Sequence, residues 1–187
     1  VVDKLRPLQP ASFAPSDLVE TPLPHLNPPS LRAEAANAMI AMFAAARAEG
    51  AGAMQLQSAY RSYSLQVEIY GGYVASAGKT GADSQSARPG FSEHQTGLAA
   101  DISALPLTCA LAACFGQTPQ GIWLAANAYR FGYLLRYPAD KTAATGYIYE
   151  PWHFRYVGES LSTEMKRTGA TTLEEFFHLP AAPAYAP

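Results

Sequence analysis

His94 and Asp101 stand seven residues apart in Ser92-Glu93-His94-Gln95-Thr96-Gly97-Leu98-Ala99-Ala100-Asp101, and Glu150 and His153 stand three apart in Tyr149-Glu150-Pro151-Trp152-His153-Phe154-Arg155-Tyr156. Imidazoles and carboxylates are ligand types that zinc takes in catalytic sites, where one position stays open for water. His94, Asp101 and His153 supply such a ligand set. Glu150 is left over as a carboxylate able to take a proton from that water. One His and one Asp near each other are common, and alone the first cluster reads as a structural pair. Two separate clusters with complementary chemistry are harder to dismiss. Structural zinc fills its coordination sphere with protein ligands, and the candidates here stop short of that.

The elements around these residues must bring them together. Gly97 lets the backbone turn sharply and pass close to a neighbouring group. After it, Leu98, Ala100 and Ile102 alternate with Ala99, Asp101 and Ser103, which predicts a short strand with Leu98 and Ile102 in a core and Asp101 on the other face. A strict strand would send Glu150 and His153 to opposite faces. Pro151 between them marks a bulge or strand end, because proline interrupts a ladder, and the kink can turn both side chains toward one cavity.

Elsewhere the chain punctuates itself. Residues 1–29 carry Pro7, Pro10, Pro15, Pro22, Pro24, Pro28 and Pro29 and should wrap the surface as extended chain. Ser30 reads as an N-cap for a helix from Leu31 to Glu49 that stops at Gly50, with Ala36, Met39, Ile40 and Phe43 on its core face. Met54, Leu56, Ser58 and Tyr60 predict a strand, and Ser64 a cap for a helix from Leu65 to about Ala77. Gly78 to Gly90 reads as a polar loop. Thr118 and Pro119 open a helix that buries Ile122, Trp123, Ala126 and Tyr129 and ends near Gly132. Tyr133–Tyr137 and Gly146–Tyr149 read as strands of a sheet bearing the second cluster. A helix over Ser160–Thr168 and a capping box at Thr172 and Glu175 follow. His25 and His178 read as surface residues, and Ala181–Pro187 as a loose tail. No repeat or linker divides the chain, so the expectation is one domain over 1–187, with a core at 30–178. The fold class expected is α+β, a small, mainly antiparallel sheet carrying the site with helices packed against it.

Ser92-x-His94-x-x-Gly97-x-Ala99-x-Asp101 followed by Glu150-Pro151-Trp152-His153 resembles the zinc D-alanyl-D-alanine carboxypeptidases of the VanY type, in one superfamily with the VanX dipeptidases and Hedgehog-type domains. The likeness runs from Asp3-Lys4-x-Arg6-Pro7-Leu8 to Arg155-Tyr156-Val157-Gly158. It implies a zinc peptidase that removes a C-terminal D-alanine from peptidoglycan stem peptides, with Zn2+ on His94, Asp101 and His153 and Glu150 as base. Tyr60-Arg61-Ser62 followed by Gln66 is similar to the family's strand-to-helix entry into the cleft, which makes Arg61 a stabiliser of the oxyanion rather than an ordinary surface cation. Ser92, within the motif, with Ser86 and Arg88, are candidates for the substrate carboxylate, and Gln66 is a further substrate-binding candidate. Ser86 and Arg88 also suit a solvated loop. Trp152 suits a cleft wall or the core equally. Glu93 is expected to face away from the metal.

Composition sets the remaining bounds. At 187 residues the chain can bury a proper core, and 49% of it is apolar. A net charge of −2 offers nothing for nucleic acid. No apolar run approaches the roughly 20 residues that span a bilayer, so any membrane link would be an anchor outside this chain. It opens at Val1 with no signal peptide, as processed chains do. Cys109 and Cys114 suggest a local disulfide and an oxidising compartment, with buried free thiols as the alternative. An extracytoplasmic, monomeric protein is the expectation. L,D-carboxypeptidases and D,D-dipeptidases or endopeptidases share the metal chemistry, and a wall-binding module with a non-hydrolytic zinc site is the reading from another class.

Overall fold

The computed structural model describes residues 1–186. At its centre is a four-stranded antiparallel sheet in the order β3-β4-β6-β5, formed by Ala53–Ser58, Ala99–Leu105, His153–Tyr156 and Tyr133–Leu135. A separate pair joins β1 (Leu18–Glu20) to β2 (Ser30–Arg32). The helices are α1 (Ala33–Ala48), α2 (Tyr63–Gln85), α3 (Pro119–Asn127), α4 (Thr142–Thr145), α5 (Glu159–Thr168) and α6 (Leu173–Phe176). This is the α+β arrangement expected.

The alternation along β4 divides the molecule. Ala100, Ile102 and Ala104 join the hydrophobic core with Leu56 and Phe154 of the flanking strands, while Ala99, Asp101 and Ser103 lie on the other face. Onto the apolar face packs α1, through Ala35, Ala36, Met39, Met42, Phe43 and Ala46, with Trp123 and Leu124 of α3 beside it. Both faces of β4 are nevertheless buried, and on the polar one Asp101 lines a cavity.

Several boundaries differ from the sequence expectation. Ser30 caps nothing: it begins β2, pairing with Glu20, and α1 starts at Ala33 without a side-chain cap. The cap of α2 is Ser62, whose hydroxyl accepts from Leu65 N–H, and not Ser64. That helix continues to Gln85 across a kink at Gly78 (φ 69°, ψ 170°), where a polar loop was expected. In α3 the buried residues are Gln120, Gly121, Trp123 and Leu124, and Ile122 is 59% exposed. Thr118 does cap it, accepting from Gly121 N–H. Gly146–Tyr149 is not a strand; α4 precedes it, and the strand bearing the second cluster is β6 itself. Thr172 caps α6 as the sequence implied, and Cys109 and Cys114 form a disulfide.

The termini are docked rather than loose. Lys4 is buried, donating to the Gly146 carbonyl with its ammonium 4.5 Å over the Tyr147 ring. Ala182 is fully buried, its N–H on the Ala144 carbonyl, and Tyr185 meets Phe91 edge-on at 5.0 Å. Through Ala182 and Tyr185 the expected loose tail, whose last residue Pro187 lies outside the described residues, therefore braces the segment that walls the cavity.

Candidate active site

Register places the first pair. Asp101 of β4 lies directly opposite His153 of β6, so their side chains share one face of the sheet at cross-strand distance. His94 arrives from the 3-10 turn Glu93–Thr96, which closes on Gly97 at φ 68°. A Cβ at Gly97 would lie 2.9 Å from Leu18 and 3.0 Å from Arg32, so this turn passes under β1 and β2 only as glycine. Pro151 and Trp152 make a turn before β6, in which His153 N–H bonds to the Glu150 carbonyl. The turn folds Glu150 back over the imidazole, and its Oε2 lies 3.8 Å from His153 Nδ1.

His94, Asp101 and His153 each offer a ligand atom within 4.8 Å of the others, all buried. The nitrogens are sorted by the bonds behind them. His94 Nδ1 donates to the Ala59 carbonyl at 2.7 Å, which leaves Nε2 facing inward, 3.3 Å from Asp101 Oδ2. His153 Nε2 faces Glu93 Oε2 at 3.4 Å, which leaves Nδ1 inward, 3.2 Å from Asp101 Oδ1. His94 Nε2 and Asp101 Oδ1 are buried yet make no hydrogen bond among the described residues. Buried polar atoms are normally satisfied, and two such atoms aimed at one point fit a cation bound between them. The nitrogen–oxygen donor set suits zinc.

Charge among the protein groups of the site is distributed unevenly. Burial lifts Asp101, but His94, His153 and Arg61 overcome it and hold the carboxyl well below its usual range. Burial, with the Arg61 charge, lowers His94 to about 4. Burial also works against protonated His153, but the adjacent Asp101 and Glu93 carboxylates raise it to about 9. Glu150 goes the other way from its fellow carboxylates: burial pushes it up to about 8, with Asp101 adding to the rise against the pull of His153. A carboxyl that titrates near neutrality suits proton transfer.

At the ligands opens a cavity of about 260 Å³, lined by Arg61, Ser86, Ser92, Tyr137, Tyr147, Ile148 and Trp152 among others. Trp152 also packs against the core. Arg61 makes three directed bonds, from Nε to Ser58 Oγ (2.9 Å), Nη1 to Gln66 Oε1 (3.2 Å) and Nη2 to Asp101 Oδ2 (2.8 Å). Gln66 is fully buried and off the cavity surface, tying Arg61 to Ser86 Oγ and the Ala87 carbonyl. Arg88 is engaged elsewhere: its guanidinium holds Asp83 at 2.8 Å and stacks 4.0 Å over Tyr185. The docking of the tail, invisible to local sequence reading, accounts for that difference. Glu93 lies outside the His94, Asp101 and His153 cluster, yet it contacts the outer nitrogen of His153, which the sequence reading missed.

Residues 28–159 match the family model described as VanY: D-alanyl-D-alanine carboxypeptidase. The chain belongs to the VanY family. It is 41% identical over 173 residues to the putative carboxypeptidase YodJ of Bacillus subtilis (strain 168), covering 90% of this chain but 63% of that protein, so the chain spans less than two thirds of this relative's length. Among solved VanY-like structures, the LdcB LD-carboxypeptidase superposes with a TM-score of 0.85 at 40% identity, covering 95% of this chain and 84% of that one. A mutant of the vancomycin-resistance D,D-pentapeptidase VanY from a VanB-type cassette, in complex with Zn(II), gives 0.79 at 33% identity, covering 95% and 97%. The fold around the His94, Asp101 and His153 cluster is thus a VanY-family fold.

Proposed function

We propose that the chain is a zinc-dependent D,D-carboxypeptidase that removes the C-terminal D-alanine from peptidoglycan stem peptides, working outside the cytoplasmic membrane. The observation that carries this reading is the convergence of buried His94, Asp101 and His153 with Glu150 on the floor of one open cavity. The matched family model and the likeness to a zinc-bound VanY support the metal and the substrate class. Among the described residues no helix is long and apolar enough to cross a membrane.

Zinc held by His94, Asp101 and His153 would supply Lewis acidity to the scissile carbonyl and lower the pKa of water to about 7. Glu150 takes a proton from the attacking water and delivers it to the departing D-alanine amine, so that water adds across the peptide bond. Arg61 has guanidinium hydrogens left after its bonds to Ser58, Gln66 and Asp101, and as a cavity-lining residue it can donate them to the oxyanion. Ser86 and Ser92 line the same cavity and can donate to the substrate carboxylate. Gln66 fixes Arg61 and Ser86 relative to each other.

A second reading, L,D-carboxypeptidase action on tetrapeptides, is supported by the likeness to LdcB. The chemistry is common to both, and the wall formed by Tyr137, Tyr147 and Ile148 would decide which stem end is accepted. D-alanine release from a muramyl pentapeptide and a muramyl tetrapeptide, with chelator and then with restored zinc, tests both. Chelator-sensitive release from pentapeptide is expected. Release from tetrapeptide alone would transfer the assignment to L,D action, and release from neither would remove both.

A further inference from the structure

Glu93 is the one buried carboxylate at the site for which hydrolysis has no task. It is 2% exposed, and its two oxygens are used differently. Oε1 accepts from Arg136 Nε at 2.9 Å and from Arg155 Nη1 at 3.0 Å. Oε2 is left for His153 Nε2. Arg155 follows His153 by two positions on β6, so both side chains stand on the same face of the strand and meet Glu93 together. Arg136, fully buried, is in turn gripped by Glu174 of α6, with Nη1 to Oε2 at 2.9 Å and Nη2 to Oε1 at 2.5 Å.

This division matters because an imidazole ligates through the nitrogen that carries no hydrogen, and the bond made by the other nitrogen decides which that is. The two histidines of the site present opposite nitrogens. A backbone carbonyl, that of Ala59, turns Nε2 of His94 inward. For His153 the inward nitrogen is Nδ1, and a side chain supplies the outer acceptor. A carboxylate also makes the imidazole a more basic ligand than a carbonyl does. Two guanidiniums on one oxygen keep Glu93 from rotating away.

We propose that Glu93 is a positioning residue that holds His153 in the orientation and tautomer turning Nδ1 toward the metal, and that Arg136, clamped by Glu174, holds Glu93 in place. The inference rests on the metal-site reading above. It extends the site outward from β6 to the C-terminal helix α6, which touches no ligand.

Zinc affinity, measured by competition with a chromogenic chelator, tests it on wild type and Glu93→Gln, together with thermal unfolding of both metal-free proteins. Glutamine keeps the shape but cannot accept from two guanidiniums and an imidazole at once. Affinity about 10- to 100-fold weaker is expected, the usual size for loss of such an outer partner. A folded variant with wild-type zinc affinity overturns the proposal, even if its thermal stability falls, because Glu93 would then be structural only. Nitrogen-15 NMR of histidine-labelled, zinc-loaded wild type gives an answer that needs no variant. The His153 hydrogen is expected on Nε2, and finding it on Nδ1 refutes the assignment. Wild type that takes up no zinc would remove the metal-site reading itself, whereas tight wild-type binding with an unmoved variant removes only this inference.

Discussion

On the proposed function, replacing Glu150 by glutamine should cripple hydrolysis and stabilise the metal-free fold, and the two effects have one cause. Glu150 is 6% exposed, and burial raises its carboxyl from 4.5 to about 8. A group with a raised folded pKa costs nothing below the unfolded value, where both states are protonated. As pH rises from 4.5, the unfolded chain ionises and gains solvation that the folded chain forgoes, so stability falls until about pH 8 and then levels. At about 1.4 kcal/mol per unit, this side chain costs the fold about 3 kcal/mol at pH 7 and about 5 above pH 8. Glutamine has the same shape and no charge to desolvate. Urea denaturation of the metal-free proteins at pH 5, 7 and 8.5 should therefore show a variant advantage that is small at pH 5 and grows by a few kcal/mol. Hydrolysis should fall by about 10²- to 10⁴-fold, the usual contribution of a general base. A stability difference that does not change with pH would refute the electrostatic account, and full activity in the variant would remove Glu150 as the base.

Zinc uptake should expel protons. His153, raised to about 9, and Glu150, raised to about 8, hold protons at neutral pH that compete with the metal, so affinity should rise with pH by about tenfold per unit for each proton lost. Calorimetry in buffers of different ionisation enthalpy at pH 7 measures the number released, and a value near zero would contradict the proposed ligand geometry. Arg61→Lys should lower kcat/KM by about 10²-fold or more, since a single ammonium cannot reproduce three directed bonds to Ser58, Gln66 and Asp101; unchanged kinetics would show that only its charge matters. Arg136→Met should cost about 3–5 kcal/mol because Glu174 loses both of its guanidinium donors while buried. Thermal unfolding should show a drop of about 6–20 °C, partly recovered by adding Glu174→Gln.

What could be read from the sequence was what local chemistry dictates. Residue types and spacing named the cluster that the structure gathers, and the alternation after Gly97 located β4 and its polar face. Thr118 and Thr172 cap their helices because a hydroxyl just before a helical run satisfies a free N–H wherever the helix packs. Failures came where a distant segment intervened. Ser30 is as good a cap by composition as Thr118, but residues 18–20 claim it for a strand pair. Gly78 marks a real break in helical geometry, yet the chain resumes helix beyond it. Arg88 belonged by type among the anion binders, until Asp83 and Tyr185 occupied its guanidinium. Glu93 looked irrelevant to the ligands because its partners, Arg136 and Arg155, lie over forty residues away in sequence.

The same distinction explains why the site can assign roles to similar groups. Glu93, Asp101 and Glu150 are all buried carboxylates within one shell of His153, and type alone cannot rank them. Their partners do. Glu93 bonds to two guanidiniums and Asp101 to one, and both are held low and ionised. Glu150 has no side-chain hydrogen bond among the described residues and opens on the cavity, so burial dominates and its pKa rises. An ionised carboxylate with one oxygen already satisfied is suited to ligate or to orient. One that gains and loses a proton near neutral pH is suited to carry it. Supplying Glu150 with a cation of its own should therefore make it a weaker base while leaving the ligand set intact. The neighbouring cavity residue Tyr137, replaced by lysine, would provide one, and the prediction is a fall in kcat whose pH profile shifts to lower pH with zinc stoichiometry unchanged.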